Sequence, residues 1–284
     1  YKIYLALGNV KFSARLLAPP LDEYLPTKEE DIVDLAKKTG KTVEEVKHRI
    51  TELHMTNPMM GLRGCRLDVV YPEIGKMQAE AVIKAALRAE EELSKGGKKV
   101  HITASMMVPQ VVAAKEFKFV KKLVSDVADK IIAESNYDKK MKSIVGTMVE
   151  TPRAALTGGD IGKDAAYFSY GTNDLTQFTF GFSRNDYSSY IKEYLAENLI
   201  DFDPFKTIDH DGVVRLIAMS VKEGKAANPD LQCGVCGEAG GDPESIAEFH
   251  NVGMDYVSCS PFRVPGARLA AAQAAIRAEG KYQY

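Results

Sequence analysis

The stretch YFSYGTNDLTQ (167–177) decides how this chain is read. Tyr167 to Tyr170 has the composition of a short strand, and Gly171 ends it, delivering Thr172, Asn173 and Asp174 into a loop. The preceding stretch SIVGTMVE (143–150) has the same design, apolar positions around Gly146 and then Glu150 at the end. Two consecutive strands thus each place a carboxylate at the C-terminal end, which is where a site is to be sought.

Outward from this pair, strand-like and helical stretches alternate. Strands are expected in VKFSARLL (10–17), stopped by Pro19 and Pro20, in NPMMGLRGCRL (57–67), in 100–108 up to Pro109, in 232–235 and in 256–259. Helices are expected over 72–94, ended by Gly96 and Gly97, and over 113–134, 204–228, 244–251 and 265–278. Residues 26–54 read as a charged helical excursion, with Thr27 and Thr42 as helix N-caps. No two-residue hairpin signal occurs, so the sheet should be parallel. Seven strands are expected, ending near Arg15, Arg63, Met107, Glu150, Asn173, Gly237 and Ser260. No glycine-rich phosphate fingerprint follows the first, and polar residues are spread over the strand ends instead of collecting at one switch point. The expected fold is therefore an α/β (β/α)8 TIM barrel over residues 1–284 as one domain, with its first strand lying before Tyr1.

Bulk properties narrow the function. The chain has 284 residues, long enough for one large core, and its net charge of −2 offers nothing to a nucleic acid or a membrane. The four cysteines, Cys65, Cys233, Cys236 and Cys259, do not form two spaced pairs, which favours a reducing, cytoplasmic setting. Cys233 and Cys236 form a CxxC with no second pair or histidine pair at zinc spacing, a weak metal or redox signal. No signal peptide or apolar run long enough to span a bilayer is present, and the tail KYQY (281–284) is no peroxisomal tripeptide. A chain that starts at Tyr1 is expected to be a piece of a longer one.

In a barrel all C-terminal strand ends face one pocket. Collected there are Arg15, Arg63, Glu150, Asn173, Asp174 and Cys236. Two guanidiniums suit a phosphate or a carboxylate through paired charge-assisted hydrogen bonds. Glu150 and Asp174 suit one Mg²⁺ completed by water and substrate oxygens, which would stabilise a growing enolate charge. Asn173 is a neutral donor. Cys236, between glycines, can face the pocket and exchange a proton with carbon. Each residue also has a plain structural explanation: a surface ion pair, a turn or cap, a small buried apolar group. Their joint placement is what argues for chemistry.

These residues resemble a known family. GTMVETPRAAL (146–156), YFSYGTNDLTQFTFGFSR (167–184), CGVCGEAGGDPESIAEFH (233–250) and YVSCSPFRVPGARLAAAQAA (256–275) are similar to the phosphoenolpyruvate (PEP)-binding C-terminal domain of pyruvate, phosphate dikinases. The resemblance covers essentially the whole chain. It implies a (β/α)8 barrel that interconverts PEP and pyruvate with Mg²⁺, passing the phosphoryl group to a phosphohistidine on another domain, with an ATP-binding domain also upstream, in a homodimer. It implies that Arg15 and Arg63 grip the phosphoryl group and that Glu150 and Asp174 bind the metal. Thr172, Asn173, Asp174 and Glu150 line the substrate, Cys236 protonates the enolate carbon, and Arg184 and Ser169 contribute secondarily.

Departures qualify the resemblance. The family's first barrel strand, with its Cys-Arg-Thr-Glu-His motif, has no match here. Ala18 and Asp22 stand where an acid and a histidine are usual, Leu62 and Ala239 where histidines are, and Ser105 where a glutamate is common. None of the five histidines lies in a phosphocarrier setting. Two alternatives remain at this point: a PEP synthase or Enzyme I-like domain, against which the loop around Cys236 argues, and a catalytically impaired barrel that serves dimerisation.

Overall fold

The computed structural model describes residues 1–95, 97, 100–137 and 140–280. Gly96 and the tail 281–284, invoked above, lie outside the described residues. Six strands form one sheet: β1 (Ser13–Arg15), β2 (Thr103–Val108), β3 (Lys142–Val149), β4 (Tyr167–Gly171), β5 (Gln232–Cys236) and β6 (Tyr256–Val257). All neighbours are parallel, and each strand lies beside the one before it in the chain. The order never reverses, so among the described residues there is no doubly wound switch point.

The sheet is curled. The Tyr167 hydroxyl on β4 hydrogen-bonds Ser13 Oγ on β1, with β2 and β3 between them. On a flat sheet β1 and β4 would be about 14 Å apart, at about 4.8 Å per strand, beyond the reach of a tyrosine. The same hydroxyl meets Ser105 Oγ at 2.9 Å and donates to the Met106 carbonyl at 3.0 Å. Gly146 makes room for this ring, since a Cβ there would sit 2.5 Å from it.

Alternation along the strands separates two apolar layers. Met107, Met148 and Tyr167 cluster inside the curl together with Ile144 and Cys236. Ala104, Met106, Val108, Val145, Val149, Phe168, Tyr170, Cys233 and Val235 point the other way, into the main core. There they meet helices whose apolar residues recur at three- and four-residue spacing. Pro72–Ser94 buries Ala79, Ile83 and Ala86, Ala114–Glu134 buries Phe117, Val120, Val124 and Ala128, and Arg215–Ala227 buries Ile217 and Val221. Each fully buried large side chain of this kind contributes about 1.5–3 kcal/mol.

The helical excursion is present as Glu29–Thr39 and Val43–Leu53, packed on a small core of its own made by Ile32, Ala36 and Val46. Thr42 caps the second helix in a capping box with Glu45, as expected, whereas the first starts after Lys28 with no side-chain cap, so Thr27 is not the cap expected of it.

Three expectations are corrected. Residues 57–67 form no strand: Asn57 Oδ1 accepts from the Met60 N–H to start a 3₁₀ turn over Pro58–Met60, and a helix begins at Cys65. Gly64, at φ 57, breaks the extended path between them. The described sheet therefore has six strands, a curled half-barrel, and not the full (β/α)8 ring. The segment 172–174 is no loop either. It is the first turn of helix Thr172–Phe180, which ends at left-handed Gly181. No described helix is long and apolar enough to cross a membrane.

Candidate functional site

Period-two alternation sets the site. Arg15 closes β1 on the inner face and extends over it, its Nη1 at 3.9 Å from Met148 Sδ on β3. Glu150 follows β3 on the same face and is buried to 3 % exposure. Gly171, opposite, carries no side chain for a spatial reason: a Cβ there would lie 2.8 Å from Glu150 Oε2. Cys236 ends β5, its Sγ 3.6 Å from the Tyr170 carbonyl.

The first turn of helix Thr172–Phe180 brings the rest. Asp174 Oδ2 lies 3.5 Å from Arg63 Nη2. Arg63 itself is buried and anchored by donating from Nε to the Ala18 carbonyl at 2.8 Å. Thr172 Oγ1 donates to the Cys236 carbonyl at 3.1 Å, and Asn173 Oδ1 accepts from the Glu238 N–H at 3.2 Å. Thr172 and Asn173 thus tie the helix to the loop after β5. Gly237, at φ 112, lets that loop turn where a Cβ would strike Thr172 Oγ1.

Electrostatics follow from this crowding. Burial pushes the Glu150 carboxyl up to about 7, the nearby Asp174 adds to the rise, and the Gln110 N–H with Arg15 and Arg63 opposes it. Burial likewise raises the Cys236 thiol, against the Ser169 hydroxyl, with Glu150 adding to the rise. At neutral pH the group is a thiol.

The structure thus gathers Arg15, Arg63, Glu150, Thr172, Asn173, Asp174, Cys236 and Ser169 around one rim. Arg184 stands apart from these contacts, its N–H bonded to Gln177 Oε1 at 2.8 Å. Ser105 serves the Tyr167 hydroxyl on the sheet floor. Sequence reasoning missed Gln110. Its backbone N–H donates to Glu150 Oε1 and its side-chain Nε2 to Asp174 Oδ2, both at 2.7 Å, so it links the two carboxylates. Its position directly after Pro109, at the end of β2, is the signal that could have found it.

Among the described residues no group of three or more His, Cys, Asp and Glu stands together as a metal site. The pair Glu150 and Asp174 nonetheless fits a hard divalent ion: two carboxylates, one buried and one half-buried, close enough for one to raise the other's proton affinity.

The PEP-utilising enzyme, PEP-binding domain family matches residues 6–276. The chain belongs to this family. The chain is also 50% identical over 274 residues to pyruvate, phosphate dikinase of Clostridium symbiosum, covering 96% of this chain and 30% of that protein. It is 47% identical to the chloroplastic pyruvate, phosphate dikinase of Flaveria bidentis over 95% of this chain and 28% of the relative. It is 43% identical to the pyruvate, phosphate dikinase of Rickettsia bellii over 97% and 30%. This PEP-binding domain therefore spans less than a third of the length of these relatives.

Proposed function

We propose that this PEP-binding domain is the PEP/pyruvate half-site of a dikinase-type transferase. The arrangement that carries the reading is the buried Glu150 and the half-buried Asp174 at one rim, with the Arg15 guanidinium and the protonated Cys236 on the same inner face. Arg15 and Arg63 bind the phosphoryl group, and Thr172 and Asn173 fix the turn that orients the substrate. Glu150 and Asp174 would hold Mg²⁺, which would supply positive charge where the enolate oxygen develops. In the direction from PEP, the bond between phosphorus and the enol oxygen breaks, and a histidine nitrogen of another domain takes the phosphoryl group. The electron pair remains on the oxygen as an enolate. Cys236 then gives its proton to the methylene carbon, leaving a thiolate and pyruvate; the reverse direction restores the thiol.

On this reading residues 1–284 form one domain, the half-barrel is completed to eight strands by chain outside this sequence, and two copies pair. The phosphohistidine and ATP-binding domains lie in the remaining length of a longer polypeptide, in the cytoplasm or an organelle. The replaced positions Ala18, Asp22, Leu62 and Ala239 leave the two carboxylates and the thiol in the sequence.

Two measurements test this. PEP with Mg²⁺ should raise the thermal midpoint, and the absence of any shift would sink the reading. Cys236→Ala should leave that shift in place while lowering deuterium incorporation into the pyruvate methyl group by about 10²–10⁴-fold, the usual scale for a lost general acid. Undiminished exchange would remove Cys236 from the proton transfer.

A further inference from the structure

We propose that Gln110 supplies a third protein oxygen to a divalent cation held between Glu150 and Asp174, its side-chain amide turning over as the ion enters. The inference rests on the reading above that these carboxylates hold such an ion.

The first support is an orphan. Gln110 is 0 % exposed, yet its Oε1 has no hydrogen-bond partner. A buried acceptor left unpaired costs about 1–3 kcal/mol, so the position holds its amide against a penalty. The second is placement. The amide nitrogen sits 2.7 Å from Asp174 Oδ2, and the backbone N–H of the same residue is 2.7 Å from Glu150 Oε1. The orphan oxygen shares a carbon with that nitrogen, so half a turn of the amide carries it to the same carboxylate. The third is the backbone. Gln110 has φ 58, an uncommon state for a residue with a side chain. Gly64 is shaped to it, since a Cβ there would lie 2.8 Å from Gln110 Cβ. The Cys65 N–H fixes the same corner by donating to the Pro109 carbonyl at 2.9 Å.

The chemistry runs in two states. Without an ion, the NH₂ group faces Asp174 and offsets part of the charge of two crowded carboxylates. An NH₂ group cannot ligate a cation. The two ends of an amide differ little in size, so half a turn about the last side-chain bond puts oxygen where nitrogen stood. The orphan oxygen then gains a partner, and the cation gains a neutral hard ligand beside two charged ones, the oxygen-only set that Mg²⁺ and Mn²⁺ favour.

Mn²⁺ is the probe, its free concentration read by electron paramagnetic resonance, with the urea midpoint of the metal-free protein measured alongside. Gln110→Asn keeps the backbone N–H and tolerates the left-handed conformation but draws the oxygen back. Together with Gln110→Leu it should weaken Mn²⁺ binding by roughly tenfold, the low end of the effect seen when a metal's supporting shell is altered. Gln110→Glu separates ligation from mere support. It should tighten Mn²⁺ binding several-fold while lowering the metal-free midpoint, because a third carboxylate repels the other two until the ion arrives. Wild-type affinity in Gln110→Asn, or a Gln110→Glu protein that loses both binding and stability, overturns the assignment. Glu150→Gln is the control. If it abolishes Mn²⁺ binding while the Gln110 variants bind normally, only Gln110 is misassigned. If it binds Mn²⁺ like the wild type, the cation reading of the carboxylate pair falls as well.

Discussion

At the residue scale, the same burial that tunes Glu150 acts on a carboxylate with no place in the proposed chemistry. Asp68, in the short helix Cys65–Val70, is 1 % exposed and its Oδ2 has no hydrogen-bond partner. Burial raises its carboxyl from 3.8 to about 6. The folded state therefore holds a proton that the unfolded chain has released over that interval. Stability contributed by the neutral form is fully present below about pH 4 and is lost as pH rises to about 6. The loss is of the order of 2–3 kcal/mol by linkage. Asp68→Asn should remove this slope and leave the variant more stable than the wild type at pH 7.5, measured as urea midpoints at pH 4 and pH 7.5. Equal slopes in both proteins would remove Asp68 from the account. The contrast between Asp68, Glu150 and Gln110 also shows what single residues disclose in sequence. Glu150 and Cys236 were legible because strands announce their ends by composition. Asp68 lies one residue beyond the stretch 57–67 that reads as extended, and although Pro109 marks the strand end before Gln110, the conformation that makes Gln110 useful leaves no mark on a Pro-Gln dipeptide.

At the scale of elements, β2, β3 and β4 were legible because both their faces are largely covered, so they read as near-continuous apolar runs. The stretch 57–67 carries a similar density of apolar residues, and composition alone cannot tell it from a strand. Asn57 and Gly64 decide it, the first through a cap bond to Met60 and the second through a positive-φ turn packed against Pro109 and Gln110, partners far away in sequence. The reverse holds for the excursion, where local signals suffice. The Glu45 N–H donates to Thr42 Oγ1 at 3.1 Å and the Thr42 N–H to Glu45 Oε2 at 2.8 Å. Losing such a cap costs about 1 kcal/mol. Ile32, Ala36 and Val46 form a core separate from the main one, so the cost should stay within the helix pair. Thr42→Ala should speed amide exchange across residues 29–53 about fivefold, the factor that 1 kcal/mol implies, and leave the global unfolding midpoint nearly fixed. A midpoint that drops by the full amount, with unaltered local exchange, would instead make the pair an integral part of the main cooperative unit.

At the scale of the whole molecule, the issue is how a six-stranded sheet keeps the curvature that turns its strand ends toward one another. Helices on the outer face press on it, but they do not select a curl over a flat twist. Tyr167 does, since its hydroxyl reaches Ser13, Ser105 and the Met106 carbonyl, joining β4 to β1 and β2 through the interior. The ring lies over Gly146, so the alternatives at both positions are restricted together. This bond set is long-range in sequence, which is why reading the chain yielded strands and their order but not the force that bends them. Tyr167→Phe keeps the ring and removes the hydroxyl, leaving the half-buried Ser13 and the buried Ser105 with only their 3.2 Å bond to each other. The expected cost is about 1–3 kcal/mol, the penalty for buried polar groups deprived of a partner. Its distribution is the sharper test. β1 is three residues long and pairs only with β2, so amide exchange in residues 13–16 should rise well above that in β3 and β5. Arg15 ends β1, so the binding of PEP should weaken in the same variant although residue 167 lies a full strand length from the rim. Uniform loss of protection over all six strands, with PEP binding intact, would mean that the curl is held by the outer helices and that Tyr167 merely fills space.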